Sequence, residues 1–106
     1  MIEFRHCVTI HDNVILECGG HAGYAEAGKD VVCAGASTLM AAAMEALQRY
    51  DDKRYHEEVR EGYVKLRCRF TPETAAVART VICGMEQISQ QYPEHLRCEK
   101  IKKPDR

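Results

Sequence analysis

The chain has 106 residues, of which 45% are apolar, and a formal net charge of -1 from 15 basic and 16 acidic side chains. This length and apolar content predict one globular domain over residues 1–106 and exclude a disordered segment. A charge so close to zero offers no positive field to a polyanion, so we expect no direct binding to nucleic acid.

The N-terminal residues carry charge at Glu3 and Arg5 and contain no apolar h-region, so we predict no signal peptide. No apolar run in the sequence approaches the about 20 residues that a membrane span needs. We therefore expect a cytoplasmic protein without a membrane partner. Its six cysteines should then remain thiols. None of them forms a Cys-x-x-Cys pair, so the sequence predicts neither a zinc ribbon nor a thioredoxin motif. We expect no cofactor.

The first half of the chain reads as a hairpin followed by a helix. Residues 2–10 alternate as in a half-buried strand, and a turn at residues 11–13 leads to a second strand over residues 14–18. Residues 19–23 contain three glycines, which predicts a loop. Helical spacing runs from about Cys33 to Tyr50. Steps of three and four relate the residues Ala36, Met40, Ala43, Leu47 and Tyr50.

The second half repeats this layout. Strands are predicted over residues 55–60 and 63–70, joined by a Glu61-Gly62 turn. Thr71-Pro72-Glu73 predicts a helix start, and Pro93 should end that helix. A short strand over residues 96–101 closes the chain. The order ββαββαβ predicts an α+β domain with two helices on one face of a mainly antiparallel sheet.

Residues 19–37 form the one stretch with unusual chemistry. His21 lies in the glycine-rich loop, and Cys33 follows twelve residues later at the predicted helix start. A helix N-terminus lowers the pKa of a thiol, and its free N–H groups can form an oxyanion hole. A nearby histidine would complete a nucleophile–base pair. From spacing alone, a simple core cysteine remains the alternative.

Residues 20–22 (Gly-His-Ala) and 30–37 (Asp-Val-Val-Cys-Ala-Gly-Ala-Ser) resemble the motifs of the ribosomal-processing cysteine protease (Prp) family. In that family a Gly-His-Ala motif precedes Asp-[Ile/Val]-Val-Cys-Ala-x-x-Ser. The strong match covers about residues 19–37, and the remainder agrees in length and in element order. The resemblance implies that Cys33 is the nucleophile and His21 the general base and acid.

The resemblance also implies a substrate and an assembly. Family members are cytosolic bacterial homodimers that need no metal. They remove a short N-terminal extension from a large-subunit ribosomal protein near the peptidyl-transferase centre, and they cleave after a phenylalanine in a motif that continues into basic residues. We therefore expect this N-terminal extension as the partner and a homodimer as the assembly.

Neighbouring residues receive supporting roles. Gly20 would let the backbone carry His21 toward or away from Cys33. Asp30 would either orient His21 or cap the helix, and the sequence favours neither. Ser37, one turn beyond Cys33, would bind substrate or hold the loop unless it is an ordinary helix serine. The segment 22–29 is expected to close over the substrate peptide.

Two other functions remain open on the sequence. The first is a non-catalytic ribosome-assembly module in which this region is only a peptide-binding groove. The second is a redox-sensing or thiol-transfer protein, which would need a resolving cysteine close to Cys33, and no local Cys-x-x-Cys supplies one. Cys18, on the preceding strand, is a candidate to approach the site at Cys33. A packed strand cysteine is the simpler interpretation.

Overall fold

The structure is a computed structural model that describes residues 1–20 and 27–102, with the backbone alone described at residues 27–30. Five strands and two helices follow one another in the predicted order ββαββαβ. They are β1 (Ile2–Val8), β2 (Asn13–Gly19), α1 (Ala27–Tyr50), β3 (His56–Arg60), β4 (Tyr63–Arg69), α2 (Pro72–Gln91) and β5 (Leu96–Lys100).

The five strands form one sheet in the order β3-β4-β2-β1-β5. All neighbouring pairs are antiparallel except β1 and β5, which run parallel. This arrangement confirms the predicted α+β class and the mainly antiparallel sheet. It also places β1 and β2 in the interior of the sheet and β3 and β5 at its two edges.

The main core lies between the two helices and one face of the sheet. Helix α1 contributes the spaced residues Val32, Ala36, Met40, Ala43 and Leu47. Tyr50 shares the helical spacing of this stripe, but it is 57% exposed. It is the last residue of α1 and projects past the described core, so helical spacing alone does not decide its burial. The sheet contributes the alternate residues Ile2, Phe4, Val14, Leu16, Leu66, Cys68 and Leu96.

Side-chain hydrogen bonds hold the start of α2 and the C-terminal end of α1. The Thr71 hydroxyl accepts from the Thr74 N–H at 3.0 Å, and the Thr74 hydroxyl accepts from the Thr71 N–H at 2.8 Å. This reciprocal cap confirms the predicted start of α2. After α1, the buried Asp51 carboxylate accepts from the Arg69 N–H at 2.8 Å, which ties the helix end to β4.

Helix α1 begins at Ala27, six residues before the predicted start near Cys33. The buried stripe begins at Val32, so the helical period is already set upstream of the cysteine. The described residues contain one helical segment, Val31–Tyr50, that is long enough and apolar enough to cross a membrane. Its mean hydropathy is 1.3. Its buried stripe packs on the main core, and 28% of this segment is buried.

The opposite face of the sheet carries mostly charged side chains and a small apolar cluster of Cys7, Ile15 and Ile101. Edge strand β3 is exposed along its whole length. Strand β1 ends at Val8, so Ile10, which the predicted strand over residues 2–10 included, lies in the turn and is 70% exposed.

Candidate active site

Cys33 lies in the second turn of α1 and is half-buried against the main core. The free N–H groups of a helix belong to its first turn, and the field of the helix dipole falls off over the same distance. The prediction that Cys33 starts the helix is therefore wrong. The first-turn N–H groups also do not flank Cys33, so they are not the neighbouring oxyanion hole that we predicted.

Two flanks border the buried stripe of α1. Gly35 and Leu39 lie on the flank that meets α2, where a Cβ on Gly35 would come within 3.0 Å of Ile88 Cδ1. Cys33 and Ser37, also four residues apart, lie on the other flank. Ser37 is exposed while Cys33 is half-buried, so this flank runs from the core outward to solvent. The predicted shared face of Cys33 and Ser37 is confirmed, whereas the role of Ser37 stays a prediction.

Cys18 occupies the inner face of β2 close to Cys33. It pairs across the sheet with Phe4 of β1 and Val64 of β4, and it packs on the same core as Cys33. Burial, followed by negative charge on Cys98 and then on Cys33, raises the pKa of the Cys18 thiol to about 11. Val14, Leu16 and Cys18 are alternate residues of β2, so alternation in the sequence predicts that Cys18 lies on the face of the sheet that the helices cover. How near Cys18 lies to Cys33 depends on how α1 packs on the sheet, which alternation does not predict.

The end of β2 makes a sharp turn at Gly20, the residue before His21. Gly20 has φ +108°, and a Cβ there would lie 2.4 Å from the Met1 carbonyl oxygen. Its N–H donates to the Gly62 carbonyl at 3.2 Å. Only glycine fits this backbone and this space. His21 and the side chain of Asp30 lie outside the described residues, so the distance from His21 to Cys33 and the orienting role of Asp30 stay predictions. The alternative that Asp30 caps the helix is wrong, because α1 begins at Ala27 and Asp30 lies within it. Of the predicted closing segment 22–29, residues 22–26 lie outside the described part, and 27–29 are helical.

A pocket of about 460 Å³ opens on the outer face of the sheet at the same end of β2. Arg5 contacts Glu17 at 3.0 Å and Glu99 at 3.3 Å. The Tyr63 hydroxyl donates to Glu17. Burial, followed by this contact with Glu17, raises the pKa of Tyr63 to about 12. Sequence reasoning did not predict the pocket, because its charges come from strands distant in the chain.

A metal ion needs several converging ligands. Within residues 1–20 and 27–102, no group of three or more His, Cys, Asp or Glu side chains is arranged to hold one.

Comparison with known proteins matches the chain to the family described as cysteine protease Prp over residues 1–97. The ribosomal processing cysteine protease Prp of Staphylococcus aureus is 27% identical over 104 residues, which covers 85% of this chain and 92% of that protein.

Solved structures share the fold. The S. aureus protease in complex with a substrate peptide has a TM-score of 0.79 at 24% identity, covering 95% of this chain and all of that one. The same protease with a covalently linked product peptide has a TM-score of 0.80 at the same identity and coverage. The protein SMU.848 from Streptococcus mutans has a TM-score of 0.76 at 23% identity, covering 95% of this chain and 94% of that one. With the family match over nearly the whole sequence, the chain belongs to the cysteine protease Prp family.

Proposed function

We propose that this chain is an endopeptidase that removes the N-terminal extension of a large-subunit ribosomal protein. Cys33 is the nucleophile, and His21 is the general base and acid. The observation that carries the proposal is the position of Cys33. It lies half-buried against the same core cluster as Cys18, and Cys18 precedes His21 by three residues.

The chain path limits how far His21 can lie from this region. Three residues span at most about 10 Å even when fully extended. The turn at Gly20 is held by Gly62 and Met1, so the segment that carries His21 starts from a defined point. A base that begins there is within reach of a nucleophile beside Cys18.

The proposed reaction has two stages. The Cys33 thiolate attacks the carbonyl carbon of the scissile bond, and a tetrahedral oxyanion forms. The C–N bond then breaks as His21 donates a proton to the leaving amine, which leaves a thioester on Cys33. Water, deprotonated by His21, hydrolyses the thioester and frees the thiol. The covalently linked product peptide of the S. aureus relative supports a covalent route.

Three further residues complete the proposed site. Gly20 supplies the backbone turn before His21, because a side chain there would collide with Met1. Asp30 precedes Cys33 by three residues and orients His21. Ser37 is exposed one turn beyond Cys33 on the same flank, where its hydroxyl can contact a bound peptide.

We further propose that the protein works in the cytoplasm as a homodimer. A domain of this size buries a smaller share of its surface than a larger one, so a second copy would add to its stability. Val31 is 56% exposed on α1, and it gives an apolar contact point outside the core. The ribosomal processing activity named for the S. aureus relative supports a cytoplasmic substrate.

The test is cleavage of a peptide that spans the ribosomal extension and its phenylalanine junction. We expect the wild type to cleave it and Cys33→Ala to lose cleavage, because no other group at that position can form the thioester. Cys83→Ala is the matched control, since Cys83 is an exposed thiol on α2. Mass spectrometry of the products locates the cut, and circular dichroism checks that each variant is folded.

Full cleavage by Cys33→Ala would contradict the assignment of the nucleophile. Peptide binding by the wild type without any cleavage would favour the non-catalytic peptide-binding module instead.

A further inference from the structure

Two glycines stand at the end of β2, directly before the proposed base His21. Gly19 is the last residue of the strand, and Gly20 makes the turn that follows it. Glycine has more backbone freedom than any other residue, so two glycines in succession restrain the next residue poorly by themselves. The position from which His21 extends therefore depends on what holds Gly19 and Gly20.

The aromatic ring of Tyr63 covers Gly19 from the neighbouring strand. The two residues pair across β2 and β4. A Cβ on Gly19 would lie 3.0 Å from Tyr63 Cδ1, so the ring fills the space that a side chain on Gly19 would need. A strand glycine marks such a close approach, and an aromatic ring from the next strand restores packing that the glycine lacks. The ring thus limits the movement of the β2 end.

The Tyr63 ring is itself held by charged neighbours. Its hydroxyl donates to Glu17, and Arg5 contacts the same carboxylate at 3.0 Å. The Arg60 guanidinium lies over the ring, 4.3 Å from its centroid. Contacts at the hydroxyl, on the ring face and at Gly19 together fix the orientation of the ring.

The backbone beside Tyr63 holds the second glycine. The Gly62 carbonyl accepts from the Gly20 N–H at 3.2 Å. Gly62 has φ +73° in the turn between β3 and β4, and Tyr63 is the residue that follows it. One short segment of the hairpin therefore restrains both glycines, through the ring at Gly19 and through the carbonyl at Gly20.

We propose that Tyr63 is a positioning residue for His21, because its ring and the adjoining Gly62 carbonyl fix the backbone from which the base extends. This inference rests on the proposed function, in which His21 is the base that serves Cys33. A base must lie within hydrogen-bond reach of the proton it removes, and a misplacement of about 1 Å costs roughly 10²-fold in rate. Tyr63 acts through the backbone and takes no proton in the reaction.

The experiment measures kcat and KM for peptide cleavage in two variants. Tyr63→Phe keeps the ring over Gly19 and loses only the hydrogen bond to Glu17, so kcat should stay within about 3-fold of the wild type. Tyr63→Ala removes the ring, and kcat should fall roughly 30- to 100-fold. KM should change by less than about 2-fold, because the base is misplaced and the peptide is not.

Tyr55→Ala is the matched control for a loss of structure alone. Tyr55 also donates to a glutamate, Glu57, at 2.6 Å, and it packs on the main core at the open end of the β3–β4 hairpin, away from Gly62. Tyr55→Ala should lower the urea midpoint at least as much as Tyr63→Ala does, and yet keep the wild-type kcat. Circular dichroism checks that each variant is folded.

A second measurement needs no substrate. The thiolate is the form of cysteine that reacts with iodoacetamide, so a base within reach of Cys33 speeds its alkylation. The rate at pH 7, read by mass spectrometry of the peptide that contains Cys33, should fall roughly 10-fold in His21→Ala and in Tyr63→Ala. The double variant should fall no further than His21→Ala, because Tyr63 acts through His21.

The proposal fails if Tyr63→Ala cleaves with the wild-type kcat, or if KM rises in place of the loss in kcat. It also fails if the two losses of alkylation rate multiply in the double variant. A wild type that cleaves no peptide, and whose Cys33 is alkylated as fast as in His21→Ala, would overturn the proposed function instead, so the two failures are distinguishable.

Discussion

The two faces of β2 show how neighbouring residues in one strand take on opposite tasks. Leu16 and Cys18 point toward the helices, where Leu16 is fully buried and Cys18 contacts the core beside Cys33. Glu17, between them, points outward and binds Arg5 and Tyr63. The inner face thus carries stability and the proposed chemistry, while charges on the outer face largely neutralise one another.

The largest effect on stability should come from truncating a buried side chain on the inner face of β2. Leu16→Ala removes a fully buried side chain and leaves a cavity under both helices. We expect the free energy of unfolding to fall by about 3 kcal/mol. Urea titration followed by circular dichroism measures it. Val59→Ala on the exposed edge strand is the control and should change stability by less than about 0.5 kcal/mol. Equal losses of unfolding free energy in Leu16→Ala and Val59→Ala would contradict the view that the inner face of the sheet contributes more to stability than its exposed edge.

A smaller effect should appear at alkaline pH. Burial raises the pKa of Cys18 and of Cys68 from about 9 to about 11. Between these values the unfolded chain loses the thiol protons while the folded protein keeps them. Stability is therefore complete below about pH 9 and falls as the pH rises to about 11, by roughly 2 kcal/mol from Cys18.

Urea midpoints measured across this range test the prediction. Cys18→Ala should flatten the decline, whereas Cys83→Ala, which removes an exposed thiol, should leave it unchanged. A decline of the same slope in both variants would show that Cys18 is not its source.

The smallest effect should come from the outer face. Arg5→Gln removes the cation that joins Glu17 and Glu99. Because Arg5 is partly exposed, we expect a loss below about 1 kcal/mol that shrinks as salt screens the pair. Urea midpoints at low and high sodium chloride measure this. Arg49→Gln, which breaks the exposed Arg49–Glu45 pair on α1, is the control with a still smaller loss. A salt-independent loss in Arg5→Gln would indicate packing instead of charge.

Local signals explain why much of the fold could be predicted from the sequence. Thr71 and Pro72 specify the start of α2 within three residues, since a hydroxyl cap and a proline act on adjacent backbone groups. Strand signals likewise predicted a strand over residues 63–70, and β4 runs over Tyr63–Arg69. The strands, the helix count and the element order all followed from patterns of this kind.

Predicting the site required information that is not local in the sequence. The predicted start of α1 lies six residues too late, because the sequence before Ala27 offers no hydroxyl–proline pair comparable to Thr71-Pro72. Cys18 on a strand and Cys33 on a helix pack against the same core cluster, and no spacing in the sequence could reveal this. The Cys33–His21 pairing itself came from motif resemblance and stays a prediction.

The edge strand β3 has a consequence for solubility. Sheet edges expose unpaired backbone groups, which attract strands of other molecules and seed aggregation. In β3, a histidine, two glutamates and an arginine cover an edge that is exposed throughout, and Arg60 is held over the ring of Tyr63 on the neighbouring strand. An incoming strand would have to desolvate these charges, so β3 acts as a built-in barrier that keeps concentrated protein from polymerising edge to edge.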